Sequence, residues 1–236
     1  MSSAVMLMTA DEGVCAVRPG TDIGRHARML ARVHDALFSG ERPPAAPRRL
    51  VARSWERVRA QGVDPDHGHP VVPLPAAEVE RRRVESPLQR VLPELRAALT
   101  SVADDAAHIM VITDATGRLL WREGSAQVRR RADHLGFTEG ADWSEGSVGT
   151  NAIGTALAEA VPVQMFAAEH FVRSHHVWTC TACPVHDPRS GELLGVVDVS
   201  GPAHTVHPTT VALVSTAVKL AETSLWRQHE GRLDAL

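Results

Sequence analysis

Apolar and polar positions alternate in two different periods along the chain, and the change falls near residue 104. From Asp22 to Phe38 the apolar residues Ile23, Ala27, Leu30, Val33, Ala36 and Leu37 share one side of a 3.6-residue repeat, which predicts a helix. Gly40 to Pro47 is a proline-rich break. A second helix is predicted from Arg49 to Gln61, with Leu50, Trp55 and Val58 apolar and Gly62 closing it. After the four prolines between Pro65 and Pro75, two more helices are predicted at Ala76 to Val84 and Pro87 to Val102, the latter capped by Ser86. Beyond His108 the runs shorten. Ile109 to Ile112 and Arg118 to Trp121 flank Thr113-Asp114-Ala115-Thr116-Gly117 as a β-hairpin. A helix from Ser125 to Leu135 and a polar loop from Gly136 to Ser147 follow. A short helix with Thr150 as N-cap ends before Pro162. Pro162 to Phe166, Val177 to His186 and Glu192 to Val199 read as strands, and Pro208 to His229 as a long closing helix. Hairpins outnumber β-α-β units, so the expected class is α+β with an antiparallel sheet behind an all-helical front.

The pattern divides the chain into a loose, flexible arm (1–20), a helical region (21–103), a mixed domain (104–230) and a tail (231–236). Composition sharpens this. With 236 residues and 44% hydrophobic positions, the chain can bury a real core. The net charge of −3 hides an asymmetry: residues 1–100 carry +3 and residues 101–236 carry −6. That excludes a protein that coats nucleic acid along its whole length. Tyrosine is absent and aromatics total 4%, too few for a base-stacking platform. Three cysteines do not make a secreted disulfide framework. The apolar run at residues 4–8 lacks a basic flank, and nothing approaches a membrane span. The expected location is the cytoplasm.

Several segments carry side chains capable of chemistry. Gly146-Ser147-Val148-Gly149-Thr150-Asn151 resembles an anion loop but has no lysine, so a structural turn is the plainer reading. His170 to His186 holds four histidines, Cys180 and Cys183. Such a mixture suits zinc, and Cys-x-x-Cys suits thiol exchange. On a regular strand, however, the two cysteines face opposite ways, and two small buried thiols satisfy the pattern equally. If any metal binds, Cys180, Cys183 and His186 are its ligands; no cofactor is otherwise implied. Arg49, Arg53 and Arg57 recur along the second helix, either as a solvated face or as a contact for a nucleic-acid backbone. Asp114, Asp142 and Asp198 have no evident partner for paired-carboxylate catalysis.

Taken together, Asp142-Trp143-Ser144-Glu145, Gly149 to Leu157, Ala168-Glu169-His170-Phe171, Trp178-Thr179-Cys180, Pro184 to Pro188 and Gly195 to Gly201 resemble the GAF sensor region of bacterial transcription regulators. The resemblance is to the acetoin-catabolism and dihydroxyacetone regulator types and to actinobacterial GAF regulators. Arg53-Ser54-Trp55-Glu56-Arg57 and Gly62-Val63-Asp64-Pro65 extend it into the helical lead-in. It implies a six-stranded antiparallel sheet with flanking helices, a small-molecule effector of unnamed identity and a homodimer formed through terminal helices. Relatives continue into an ATPase or a helix-turn-helix domain; the expectation is that these 236 residues leave no room for one, so output passes to DNA through the front helices or to a separate protein. The expected ligand neighbours are Trp143, Asn151, Phe166, His170, Trp178 and Cys180. The competing reading is a thiol enzyme acting on free methionine sulfoxide, or a Cys/His redox or metal switch.

Overall fold

The computed structural model describes residues 13–68, 70, 72–105 and 108–233. The expected arm lies outside the described residues over 1–12, and the expected tail over 234–236. Among the described residues, eight α-helices and five strands follow in the order α1 (Ile23–Ser39), α2 (Arg49–Ala60), α3 (Ala76–Glu85), α4 (Leu92–Asp105), β1 (Ile109–Asp114), β2 (Leu119–Gly124), α5 (Ala126–Asp133), α6 (Glu145–Val148), α7 (Ala152–Glu159), β3 (Val163–Phe166), β4 (Trp178–His186), β5 (Leu193–Pro202) and α8 (Thr209–Leu233). The strands form one antiparallel sheet in the order β2-β1-β5-β4-β3.

The sheet is covered on both faces, which explains why its strands read as near-continuous apolar runs. On β1, Ile109 and Val111 point to one face, while Met110 and Ile112 point to the other. The first face meets Val33 of α1, Leu50, Val51, Trp55 and Val58 of α2, and Ala152, Ile153 and Ala156 of α7. The second meets Val79 of α3, Leu95 and Leu99 of α4, and Val214, Ala217, Val218 and Ala221 of α8. The front helices therefore share both cores with the sheet. Their amphipathic faces are buried against strands contributed by residues far along the chain.

Five strands are described where the resemblance implied six. The nearest approach to a sixth lies beside β2, where Arg118 and Asp142 form a single antiparallel bridge. Gly140 there adopts φ +83°, and a Cβ on it would lie 2.9 Å from the backbone N and O of Leu74. Two further expectations change. The first is the loose arm. Residues 14–17 are fixed along β3: Gln164 donates its backbone N–H to Val14 O, and Gln164 Oε1 accepts from Ala16 N at 3.1 Å. Ala16 and Val17 are buried there. The second is the cap of α7. It is Asn151, whose Oδ1 accepts from Gly154 N at 2.9 Å, while Thr150 turns to Ser54.

Candidate functional site

Strand β5 alternates along Val196-Val197-Asp198-Val199-Ser200. Val197 and Val199 enter the core beneath α8, so Val196, Asp198 and Ser200 share the opposite face. Register places Cys180 of β4 directly opposite Ser200, and Ala182 opposite Asp198. Over this part of the sheet lies α7, whose Asn151, Ala152 and Ile153 close the space from above. Leu135, Phe137 and Trp143 come from the loop after α5, and His170 and His175 from the loop between β3 and β4. These groups enclose a mostly apolar cavity. Its free space is about 20 Å³, room for a water or two.

Aromatic packing fixes the wall. The indole of Trp143 stacks on His175 at 5.1 Å between ring centres and takes the edge of Phe137 at 4.4 Å. Asn151 is fully engaged. Its Nδ2 donates to Trp143 O at 3.1 Å and to Gly149 O at 2.8 Å, so its side chain ties the wall to the start of α7. Gly149 permits this turn with φ +74°, because a Cβ there would lie 2.9 Å from Phe171 Cβ.

Two polar atoms in the wall have no protein partner. His170, 1% exposed, directs its Nδ1 at Ala167 O at 2.9 Å. A carbonyl only accepts, so Nδ1 carries the proton, and burial pushes the ring's pKa below its ordinary value. Nε2 is therefore a bare acceptor, buried and unpaired. Asp198 is fully buried; its Oδ2 accepts from Ser200 Oγ, and its Oδ1 is unpaired. Burial raises this carboxyl to about 7, partly opposed by the Ser200 hydrogen bond. Burial also pushes the Cys180 thiol well up, with nearby Asp198 adding to the effect.

Of the six expected ligand neighbours, Trp143, Asn151, His170, Trp178 and Cys180 line this cavity. Phe166 does not. It is buried in a separate cluster with Ala16, Val17, Leu30 and Val206, stacked on His26 at 5.7 Å. The sequence reading overlooked Asp198, Ser200, His175 and Phe137. The signal for Asp198 was present: a lone acid inside a strand of valines has nowhere to go but the interior.

The expected metal set does not assemble. Cys180 faces the cavity, whereas Cys183 lies under α8, where burial raises its thiol to about 11. His186 sits beyond both and reaches Glu222 at 3.8 Å. Strand alternation separates the two thiols, and among the described residues no group of three or more His, Cys, Asp or Glu side chains could hold a metal. The arginines of α2 are similarly redirected. Arg57 forms a fork on Glu145 at 2.7 and 2.9 Å and also bonds Glu159 at 2.6 Å. These carboxylates, Glu145 first, raise its pKa further against the cost of burial. Arg53 pairs with Glu159, whereas Arg49 is exposed. Hydroxyls of Ser54 and Thr155 complete the buried cluster on Glu145, joining α2 to α6 and α7. One pair went unforeseen: Arg48 bridges to Glu169 at 2.6 and 2.7 Å and gathers the carbonyls of Gly13, Cys15 and Gln164.

Residues 27–222 match the family described as MimR, N-terminal domain. An uncharacterized 47.3 kDa protein from the thcA 5′ region of Rhodococcus erythropolis is 40% identical over 218 residues, covering 89% of this chain and 50% of the relative. The acetoin dehydrogenase operon transcriptional activator AcoR of Bacillus subtilis is 32% identical over 180 residues, 75% of this chain and 29% of AcoR. The chain thus spans half or less of these relatives. Among solved structures, the Escherichia coli DhaR(N)–DhaL complex matches with TM-score 0.67 and 24% identity, over 79% of this chain and 66% of that one, and supports the fold.

Proposed function

This chain belongs to the MimR N-terminal domain family, and from that premise we propose that it is a GAF-type sensor region whose effector enters the cavity beneath α7. The relatives with a named role are transcriptional regulators, which supports a role in transcription regulation over one in catalysis. The observation that carries the proposal is the cavity itself: aromatic and aliphatic walls with two buried, unpaired polar atoms. Unpaired buried polar atoms cost stability, and a ligand that pairs them recovers it.

In this reading the effector works by differential binding. Its contacts bear on Trp143 and Asn151. Asn151 holds the start of α7, and the Glu145–Arg57 cluster joins α6 and α7 to α2. A shift of the wall is thereby felt by the front helices. Direct DNA contact through Arg53 and Arg57 is disfavoured, because both already serve acids of the sensor. Output through a partner protein fits better, and the DhaR(N)–DhaL complex is a precedent for a partner on this fold. A homodimer through α8 is part of the same proposal, with Leu220 and Trp226 exposed on that helix. A thiol-enzyme reading has little support: Cys180 and Cys183 cannot meet, and both are held as thiols.

The test is native mass spectrometry of the freshly purified chain, followed by a thermal-shift screen of small metabolites. A compound that raises Tm in the wild type, but not in an Ile153→Trp variant whose cavity is filled, supports the proposal. Equal shifts in both proteins, or no retained and no bound compound in either, refute it.

A further inference from the structure

We propose that the open cleft between α5 and the start of β4 docks an acidic segment of a partner protein. The segment seats its apolar side chains against Leu135, Val177 and Trp178 and sets its carboxylates on Arg131, His134 and His204. The proposal rests on the reading that output passes to a partner protein, and it adds where that partner lands and what chemistry it carries.

The floor of the cleft is built by strand pairing. Its volume is about 510 Å³. Trp178, the first residue of β4, pairs with Pro202 at the end of β5, and Ala203 N donates to Val177 O at 2.8 Å. The backbone at Val177 is thereby fixed, yet its side chain is 68% exposed. Held beside Leu135 and Trp178, it makes a rigid apolar seat open to solvent.

Charge sets the class of occupant. Arg131, His134 and His204 stand exposed around the seat, and among the described residues lining the cleft none is acidic. Arg129, Arg130 and Arg131 of α5 are all exposed. The one acid of that helix, Asp133, is taken by Arg122 at 2.6 Å. The arginines of α2 and α3 differ: Arg53, Arg57 and Arg81 are each paired with carboxylates of their own chain. An approaching acidic segment therefore meets uncompensated positive charge, and a basic one is repelled. A free small molecule fits less well, because such sites bury most of their ligand and this cleft is open along Val177. A nucleic-acid backbone would use the arginines and leave the apolar seat empty. Leu135 and Trp178 also line the inner cavity. A side chain seated on them from outside bears on the wall that an effector touches from inside, which couples the two sites.

Fluorescence anisotropy of the full chain at neutral pH and low salt tests this with four labelled probes. They are the hexapeptide EDLFED, its form without apolar side chains EDGGED, its charge-reversed form KRLFRK, and a DNA duplex. EDLFED is expected to bind at least about tenfold tighter than either other peptide, the worth of one large apolar side chain buried or of a matched rim charge. Its affinity should fall with added salt, and its binding should move the indole resonance of Trp178. Val177→Asp and Arg131→Glu each change an exposed side chain and should weaken EDLFED at least about tenfold, with Arg131→Glu shifting preference toward KRLFRK. The ranking of peptides on the wild type does not depend on either variant folding. Equal binding of EDLFED and EDGGED means that the seat is not read, and equal binding of KRLFRK means that the charge is not; either overturns the proposal. So does absence of EDLFED binding. So does a duplex that binds tightest and is lost in Arg131→Glu but kept in Val177→Asp, which assigns the arginines to nucleic acid. A protein that co-purifies equally with the wild type and both variants keeps the partner reading and overturns this surface. With none co-purifying and no EDLFED binding, both fall together. The Ile153→Trp screen decides the effector separately, since it involves neither Arg131 nor Val177.

Discussion

Replacing Asp198 by Asn should change how stability depends on pH more than it changes the fold. The carboxyl is fully buried on β5 with one hydrogen bond from Ser200, and its pKa is raised to about 7 from the ordinary 3.8. In the unfolded chain the same group ionises near its ordinary value. Between about pH 4 and pH 7 the folded state therefore holds a proton that the unfolded state has lost. The folded state binds more protons, so stability from this group is full below about pH 4 and falls as pH rises. A raised pKa of roughly three units corresponds to about 4 kcal/mol at most, lost at up to about 1.4 kcal/mol per pH unit and complete by about pH 8. Asn has nearly the same shape and no charge, so it lacks this loss. Folding also shifts other groups: burial lowers the His170 ring, and arginine partners hold Asp35 and Glu159 below their ordinary values. They are common to both proteins and cancel in the difference. The assay is urea unfolding of wild type and variant, followed by tryptophan fluorescence, at pH 5, 6, 7 and 8. Relative to wild type, the variant should gain about 2–4 kcal/mol from pH 5 to pH 8. Parallel pH profiles would show that Asp198 ionises normally, and the electrostatic account of the cavity would be wrong.

Four more outcomes are expected. Glu169→Gln leaves the Arg48 guanidinium with half its partner and should cost about 3 kcal/mol in the same unfolding assay, against under 1 if the pair is dispensable. Gly154→Ala places a Cβ 2.6 Å from Glu145 N, a backbone atom that cannot step aside; a loss of about 1–3 kcal/mol is expected, and an unchanged Tm would contradict the packing of α7 on α6. Arg57→Ala should destabilise the chain by about 2–3 kcal/mol, while Arg49→Ala stays within about 0.5, so equal effects would dissolve the distinction between a buried tie and an exposed charge. Iodoacetamide at pH 8 should label Cys180 and Cys183 only after unfolding, read by peptide mass spectrometry; prompt labelling of either in the folded chain would mean a thiolate and reopen the redox reading.

The amino-acid sequence determined what depends on near neighbours. Helix α1 follows from its 3.6-residue apolar stripe, a side-chain cap at Asp22 and a left-handed Gly40 at its end. The hairpin of β1 and β2 follows from two apolar runs around a turn that Gly117 closes with φ +88°. Period-two alternation also separates Cys180 from Cys183, since side chains an odd number of positions apart on a strand face opposite ways. Only the tertiary structure decided which face each residue meets. The helical front read as a separate region because its apolar stripes gave no hint of their partners; Trp55 and Val58 are buried by a sheet that begins some fifty positions later. Arg57 read as surface charge because Glu145 is distant in sequence and adjacent in space. Phe166 lies near the cavity in sequence but turns into another cluster, since an aromatic ring carries no record of which core it fills. Asp198 read as an isolated acid. Its role depends on Ser200, Cys180 and His170, which long-range strand pairing and a loop crossing bring together, and pairing of that kind is not encoded in any local period.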